Sequence, residues 1–206
     1  MVRIFLPTAF AATALFAALV GLIRAQPFDD RQVRDFLAFL DECAAPCWQG
    51  VRPGVTTTTS ALVLLEAHNW VSGVDEHIWF STPGSSLFSW LWNGQQPHWI
   101  NDQRPGVMTT RLNRIQSIKI STHISLGELW LSMPEQERIE RLDQLAGTAG
   151  EYIVRYPARG FEAHIPLSCP LHLGAFWQSN AELYFVDEAA AVDAEWKYSR
   201  LICRNM

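Results

Sequence analysis

Positive charge is in short supply in this chain: 16 Lys and Arg stand against 21 Asp and Glu, a formal charge of -5. No basic stripe offsets that balance, and a surface of this sign repels phosphate backbones, so no nucleic-acid partner is expected. Catalytic signatures are scarce too. The chain has no Gly-x-Ser-x-Gly elbow, no glycine-rich phosphate loop before a helix and no His-x-x-x-His pair. The six histidines, His68, His77, His98, His123, His164 and His172, stand in no recognised ligand spacing. Glu66 and His68, two apart, fall on different faces of a helix, and the adjacent Asp187 and Glu188 on opposite faces of a strand. The expectation is therefore no catalytic residue, no metal and no cofactor. The enzymatic alternative is a hydrolase using loop histidines and carboxylates. Its best position is His164 to His172, where Pro166 and Pro170 interrupt regular structure.

Acidic residues are also absent from the first 25 positions, where the longest apolar run lies. Ile4 to Ile23 is 20 residues without a charge, preceded by Arg3 and the amino terminus. As a helix rising about 1.5 Å per residue it spans roughly 30 Å, the thickness of a bilayer's hydrocarbon core. Basic residues stay on the cytoplasmic side, so Arg3 inside places Gln26 onward outside. Two fates are open. Retained, the segment is a single-pass anchor. Cleaved, it is a secretory signal: Ala25 suits the cut, but Ile23 is not the small residue wanted two places earlier. Residues 1–25 are thus expected to be a signal or anchor, and residues 26–206 an extracytoplasmic domain, membrane-bound through the N-terminal helix or secreted. A composition of 49% hydrophobic and 18% charged residues supports a packed core there.

Cysteine is rare, and all four, Cys43, Cys47, Cys169 and Cys203, follow the apolar run. An even count in an oxidising space favours disulfides. Of three possible pairings, Cys43–Cys47 with Cys169–Cys203 closes each loop locally, the longer adding roughly 3–4 kcal/mol on the chain-entropy model. Zinc is the competing use. Against it, no pair has two-residue spacing and no histidine lies close to Cys43 or Cys47. Oxidised cysteines supply no thiolate nucleophile.

What is present reads as alternating helices and strands. Asp29 or Asp30 caps a helix with Val33, Phe36, Leu37 and Leu40 on one face, stopped by Pro46. After a loop with Gly50, Pro53 and Gly54, Thr56 or Thr57 caps a second helix that buries Ala61, Leu62, Leu64 and Leu65. From Glu76 the period is two. Ile78 and Phe80 alternate with Trp79, and Leu87 to Trp92 follows a turn at Pro83-Gly84. That second strand is apolar on both faces, which predicts a strand that is central or pressed under a helix. Asn93-Gly94 marks a turn, a polar loop with Pro97 and Pro105 follows, and a strand runs from Arg114 to Ser121. Ser125 with Glu128 forms a capping box. Ser132 with Glu135, and Pro134 between them, predicts a further helix to about Leu145, carrying Ile139, Leu142 and Leu145 and ended by Gly147 and Gly150. Strands follow at Tyr152 to Tyr156 and Phe161 to Ile165, turning at Pro157 to Gly160, then at Leu183 to Val186 and Tyr198 to Cys203, with an alanine-rich stretch between the last two. The fold class is α+β: helices packed on antiparallel sheet in two similar helix–strand halves, 47–121 and 122–206.

The segment Cys47-Trp48-Gln49-Gly50-Val51-Arg52-Pro53-Gly54-Val55-Thr56-Thr57, with Cys43 four residues before it, resembles the C-x-x-x-C-W-x-G-I-x-P-G-x-T segment of a group of uncharacterised exported bacterial proteins. Ile124-Ser125-Leu126-Gly127-Glu128-Leu129 is similar to that group's L-[ST]-L-G-[DE]-L opening of a second half. Ser132-Met133-Pro134-Glu135 departs from the group's Gly-Glu-Pro. The same Pro-Gly-x-Thr core is similar to the helix start of β-lactamase-inhibitor-like and outer-membrane-assembly lipoprotein domains. Those domains pack a helix pair on an antiparallel sheet and bind other proteins. The resemblance implies a binding role and transfers no catalytic residue.

Tryptophan is abundant, with nine in the chain and Trp79, Trp90, Trp92 and Trp99 clustered. Trp90 and Trp92 share a strand face and are read as core. The functional alternative is an aromatic platform of Trp90, Trp92 and Trp99 for a protein or glycan partner, with Trp99 exposed in its loop beside His98. The expected role is a non-enzymatic extracytoplasmic binding or envelope-interaction module.

Overall fold

The computed structural model describes residues 13–22, 30–40, 43–78, 84–144, 149–168 and 172–186. The chain divides into two compact units, Met1–Asp30 and Arg31–Met206. In the first, residues 13–22 are helical and expose Leu15, Phe16, Leu19 and Leu22. Among the described residues no helix is long and apolar enough to cross a membrane. The 4–23 run lies partly outside them, as do Cys169, Cys203, the strand expected at 198–203 and the alanine-rich stretch before it.

The second unit is mixed α+β. Helix α1 (Arg31–Leu40) buries Val33, Phe36, Phe39 and Leu40, the helical spacing of its apolar residues. Helix α2 (Thr58–Glu66) starts where the Thr57 hydroxyl accepts the Ser60 amide, satisfying one orphan donor. Ala61 and Leu65 are buried, but Leu64 is exposed, contrary to expectation, because α2 is apolar on more sides than it can bury. Strands β1 (Val71–Ile78), β2 (Ser85–Trp92), β3 (Gly106–Arg111) and β4 (Arg114–Ser125) form one antiparallel meander. Helix α3 (Leu126–Ser132) follows, its Ser125–Glu128 capping box intact. A second meander comprises β5 (Ile139–Gln144), β6 (Ala149–Tyr156), β7 (Phe161–Ser168) and β8 (Asn180–Val186), with the short α4 (Leu173–Gln178) before β8. The eight strands make one sheet in the order β1-β2-β3-β4-β8-β7-β6-β5, so β4 and β8 join the meanders.

Four expectations are corrected. Strand β1 starts at Val71, not Glu76, with a bulge between Val71 and Gly73. Residues 106–111, read as loop, form β3; Leu112 and Asn113, both at positive φ, close a two-residue hairpin to β4. The helix expected over 132–145 is a 3₁₀ turn, Glu135–Glu137, followed by edge strand β5. Pro134 makes no side-chain cap there, and pairing with β6 supplies backbone partners that outweigh the local helical pattern. Strand β2 is internal to the sheet, between β1 and β3, but is not covered on both faces. Phe88 and Trp90 are buried, but Leu91 is 57% exposed.

The sheet's buried face follows the register: Phe88 beside Met108, Met108 beside Ile118, Ile118 beside Phe185, and Ile120 beside Leu183, Ala163 and Val154 in turn. Trp90 lies opposite Gly106, where a Cβ would fall 2.2 Å from the indole, so the glycine makes room for the ring. Gly160 turns β6 into β7 at φ +70, and a Cβ there would meet Pro46 at 2.5 Å. That proline sits in the loop closed by the Cys43–Cys47 disulfide, which forms as expected.

Candidate functional site

The opposite face of the sheet carries the polar chemistry. Alternation sends successive side chains to opposite faces, and the register aligns Asp75, Ser89, Val107, Lys119, Tyr184, Glu162, Arg155 and Ile139 in one row across all eight strands, with Glu162 and the nearby Ile153 buried on this face too. Beside it, His164 pairs with Glu182 across β7 and β8.

The charged side chains of β4, β6, β7 and β8 on this face bond to one another. Arg155 donates from Nε to Glu162 Oε1 at 2.6 Å and pairs with the same oxygen through Nη2. Glu162 Oε2 lies 3.0 Å from His164 Nε2, and His164 Nδ1 lies 3.2 Å from Glu151 Oε2. The imidazole packs on the Tyr184 ring, centroids 4.1 Å apart. Farther along, the two oxygens of Glu182 take Lys119 Nζ at 2.6 Å and Arg104 Nη1 at 3.0 Å. Lys119 also sits 5.6 Å from the Tyr184 ring centre.

Partial burial sharpens these charges. For His164, desolvation alone would lower the pKa, but hydrogen bonds and the negative charge of Glu151 and Glu162 outweigh it and hold it above its ordinary value. For Glu162, burial pushes up while His164 and Arg155 pull down harder, leaving it below the usual carboxylate range. Lys119 is likewise held above its ordinary value, burial being overcome by Glu182 and Tyr184. In each case named neighbours outweigh burial.

Glu151 and Glu162 flank His164 at opposite ring nitrogens, so the three do not converge on one point. Among the described residues no group of three His, Cys, Asp or Glu could hold a metal ion. His172 is exposed before α4, and β7 carries regular pairing from His164 to Ser168, so that part of the expected irregular loop is strand; residues 169–171 lie outside the described residues. Next to Glu182, where β4 meets β8, lies a polar cleft of about 200 Å³.

The tryptophans sit elsewhere. Trp99, expected at the surface, is 1% exposed. Its loop is stitched onto β4: the His123 amide donates to Trp99 O at 2.8 Å, and Ile100 bridges Thr122. The indole thereby reaches Phe36 and Phe39, centroids 5.3 and 5.7 Å away. Trp90 is buried against Trp48 at 5.2 Å. Trp92 is half-buried and donates from Nε1 to Arg104 O at 2.9 Å. A platform of these three is corrected to core plus one anchor for Arg104. Sequence reasoning weighed His164 alone of the charged row. The available signal was the outward charge on alternate positions, Glu151 and Arg155, Glu162 and His164, Glu182 and Tyr184, which in isolation reads as an ordinary solvated face.

Comparison of the chain with family models, curated proteins and solved structures gave no match.

Proposed function

We propose that this is an exported protein, anchored or secreted through residues 1–25, whose folded part is a non-enzymatic binding module of the cell envelope with a protein or glycan partner. One observation carries the reading: the polar side chains of the open face are already bonded to one another. A general acid or base needs a free position within reach of its substrate, whereas His164 has both nitrogens engaged and the oxygens of Glu162 and Glu182 are taken. Side chains held in place lose little further entropy when a partner docks. The two meanders, each preceded by a short helix, support related halves at 47–121 and 122–206 with helices laid on the buried face. The resemblance around Cys47–Thr57 to exported proteins agrees with that reading.

The test uses the full chain as bait in envelope extracts. Specific capture of one partner, lost on Lys119→Glu, supports the binding role. A full chain that turns over a generic ester or glycan substrate, with His164→Gln abolishing turnover, would reverse it in favour of the hydrolase.

A further inference from the structure

The seam between the two meanders is irregular. Ser121 opposes Glu182 and Ser125 opposes Asn180, so residues 122–124 of β4 face Ala181 alone. A bulge of this kind opens a ladder and re-aims side chains. The cleft of about 200 Å³ lies here, lined among others by Asn101, Arg104, Ser121, Pro166, Asn180 and Glu182.

Its chemistry is directional. Arg104 is positioned from two sides: its carbonyl accepts the Trp92 indole N–H at 2.9 Å, and its Nη1 donates to Glu182 at 3.0 Å. The side chain is nevertheless 64% exposed, and Glu182 engages one of its five N–H groups. Glu182 also neutralises Lys119. One carboxylate between two cations leaves a single positive charge in excess. Asn101 Oδ1 is occupied by the Gln103 amide, which leaves its NH₂ as a donor, and Ser121 and Asn180 add neutral groups able to donate or accept. The cleft therefore suits a ligand with one negative charge and several hydroxyls. A phosphate monoester carries about 1.5 to 2 negative charges, more than the excess. The volume is below the roughly 300–1,000 Å³ of pockets for drug-sized molecules, so the occupant is about one sugar ring in size.

We propose that this cleft binds a hydroxylated carboxylate of the sugar-acid class, with its carboxylate on Arg104 and its hydroxyls on Asn101, Ser121 and Asn180. The proposal rests on the binding role above and names its ligand. The same chemistry is offered by a free sugar acid and by the end of an acidic glycan.

Isothermal titration of the full chain with D-galacturonate, D-galactose and trigalacturonate tests it. Galacturonate should bind at least tenfold tighter than galactose. Arg104→Gln should weaken galacturonate about tenfold without moving the melting temperature, and Asn180→Asp should weaken galacturonate but not galactose. Tighter binding of the trimer supports a glycan end; equal binding supports the free acid. Equal affinity for galactose and galacturonate, undiminished binding by Arg104→Gln, or no binding of either acid overturns the proposal. If no acid binds while an envelope partner is still captured in a Lys119-dependent way, the ligand class fails and the binding role stands.

Discussion

On the buried side of the sheet, the indole nitrogens of Trp48, Trp90 and Trp99 and the hydroxyl of Tyr156 find no hydrogen-bond partner among the described residues. On the open side, Arg155, Glu162, His164, Glu182 and Lys119 are all paired. The two faces are a residue apart along every strand, yet one tolerates unpartnered neutral donors beside paired threonines while the other carries paired charges. The difference follows the cost of desolvation. An unpaired neutral donor costs about 1–3 kcal/mol, and burying an aromatic ring of about 150–250 Å² returns more than that at about 25 cal/mol per Å². A bare ion costs several kcal/mol even after relaxation. Neutral groups can therefore be left unmatched in the core, as with Tyr156, whose pKa burial pushes up to about 12. The charges of the open face stand where partners reach them.

The largest break in that comparison should come from the buried side. Trp48 is fully buried against Trp90, so Trp48→Ala should cost about 3–5 kcal/mol in a urea unfolding curve. A loss below about 1 kcal/mol would mean that the aromatic cluster is not the core. On the open side, Glu162→Gln keeps the shape but removes the charge shared by Arg155 and His164, and should cost about 2–3 kcal/mol. No change at all would show the network to be ornamental. Gly106→Ala forces a methyl into the Trp90 ring and should cost about 1–2 kcal/mol, with Trp90 displaced in the fluorescence spectrum.

Smaller effects separate the faces by pH. His164 is held above its ordinary value, so its contribution is complete below about pH 6.5 and is lost as pH rises through the raised folded value. Glu162 is held below its ordinary value, so its contribution is complete above about pH 4.5 and is lost as pH falls through the lowered one. Melting temperatures of the wild type and His164→Gln should differ most between these limits and converge as pH rises. A gap that stays constant to pH 9 contradicts the imidazolium. The smallest effect lies outside both faces. Leu112 holds φ 50 at the tip of the β3–β4 hairpin with its side chain exposed. Leu112→Asn suits that turn better and should stabilise by about 0.5 kcal/mol in the same urea assay.

Several local features whose partners lie nearby in sequence were legible. Thr57 and the Ser125–Glu128 box cap their helices as read, Cys43 pairs with Cys47, and β6 turns into β7 at Gly160. Strand β5 was misread because Ile139 and Leu142 are three apart, a helical spacing, and only β6 overrides it. Strand β3 was missed because Gly106 to Arg111 has few apolar residues of its own and gains its place from β2 and β4. The candidate site was almost wholly illegible. Its members come from the 93–105 loop and from β4, β6, β7 and β8, and no spacing along the chain links Arg104 to Glu182 or Arg155 to Glu162 and Lys119.

The sequence by itself determined the mixed α+β composition, the starts of α2 and α3 and the short disulfide. Tertiary structure alone decided that β8 returns beside β4. That one pairing aligns the charges of both meanders on a single face and opens the cleft at their seam, because strand order is set by burial over long loops, which no local preference encodes.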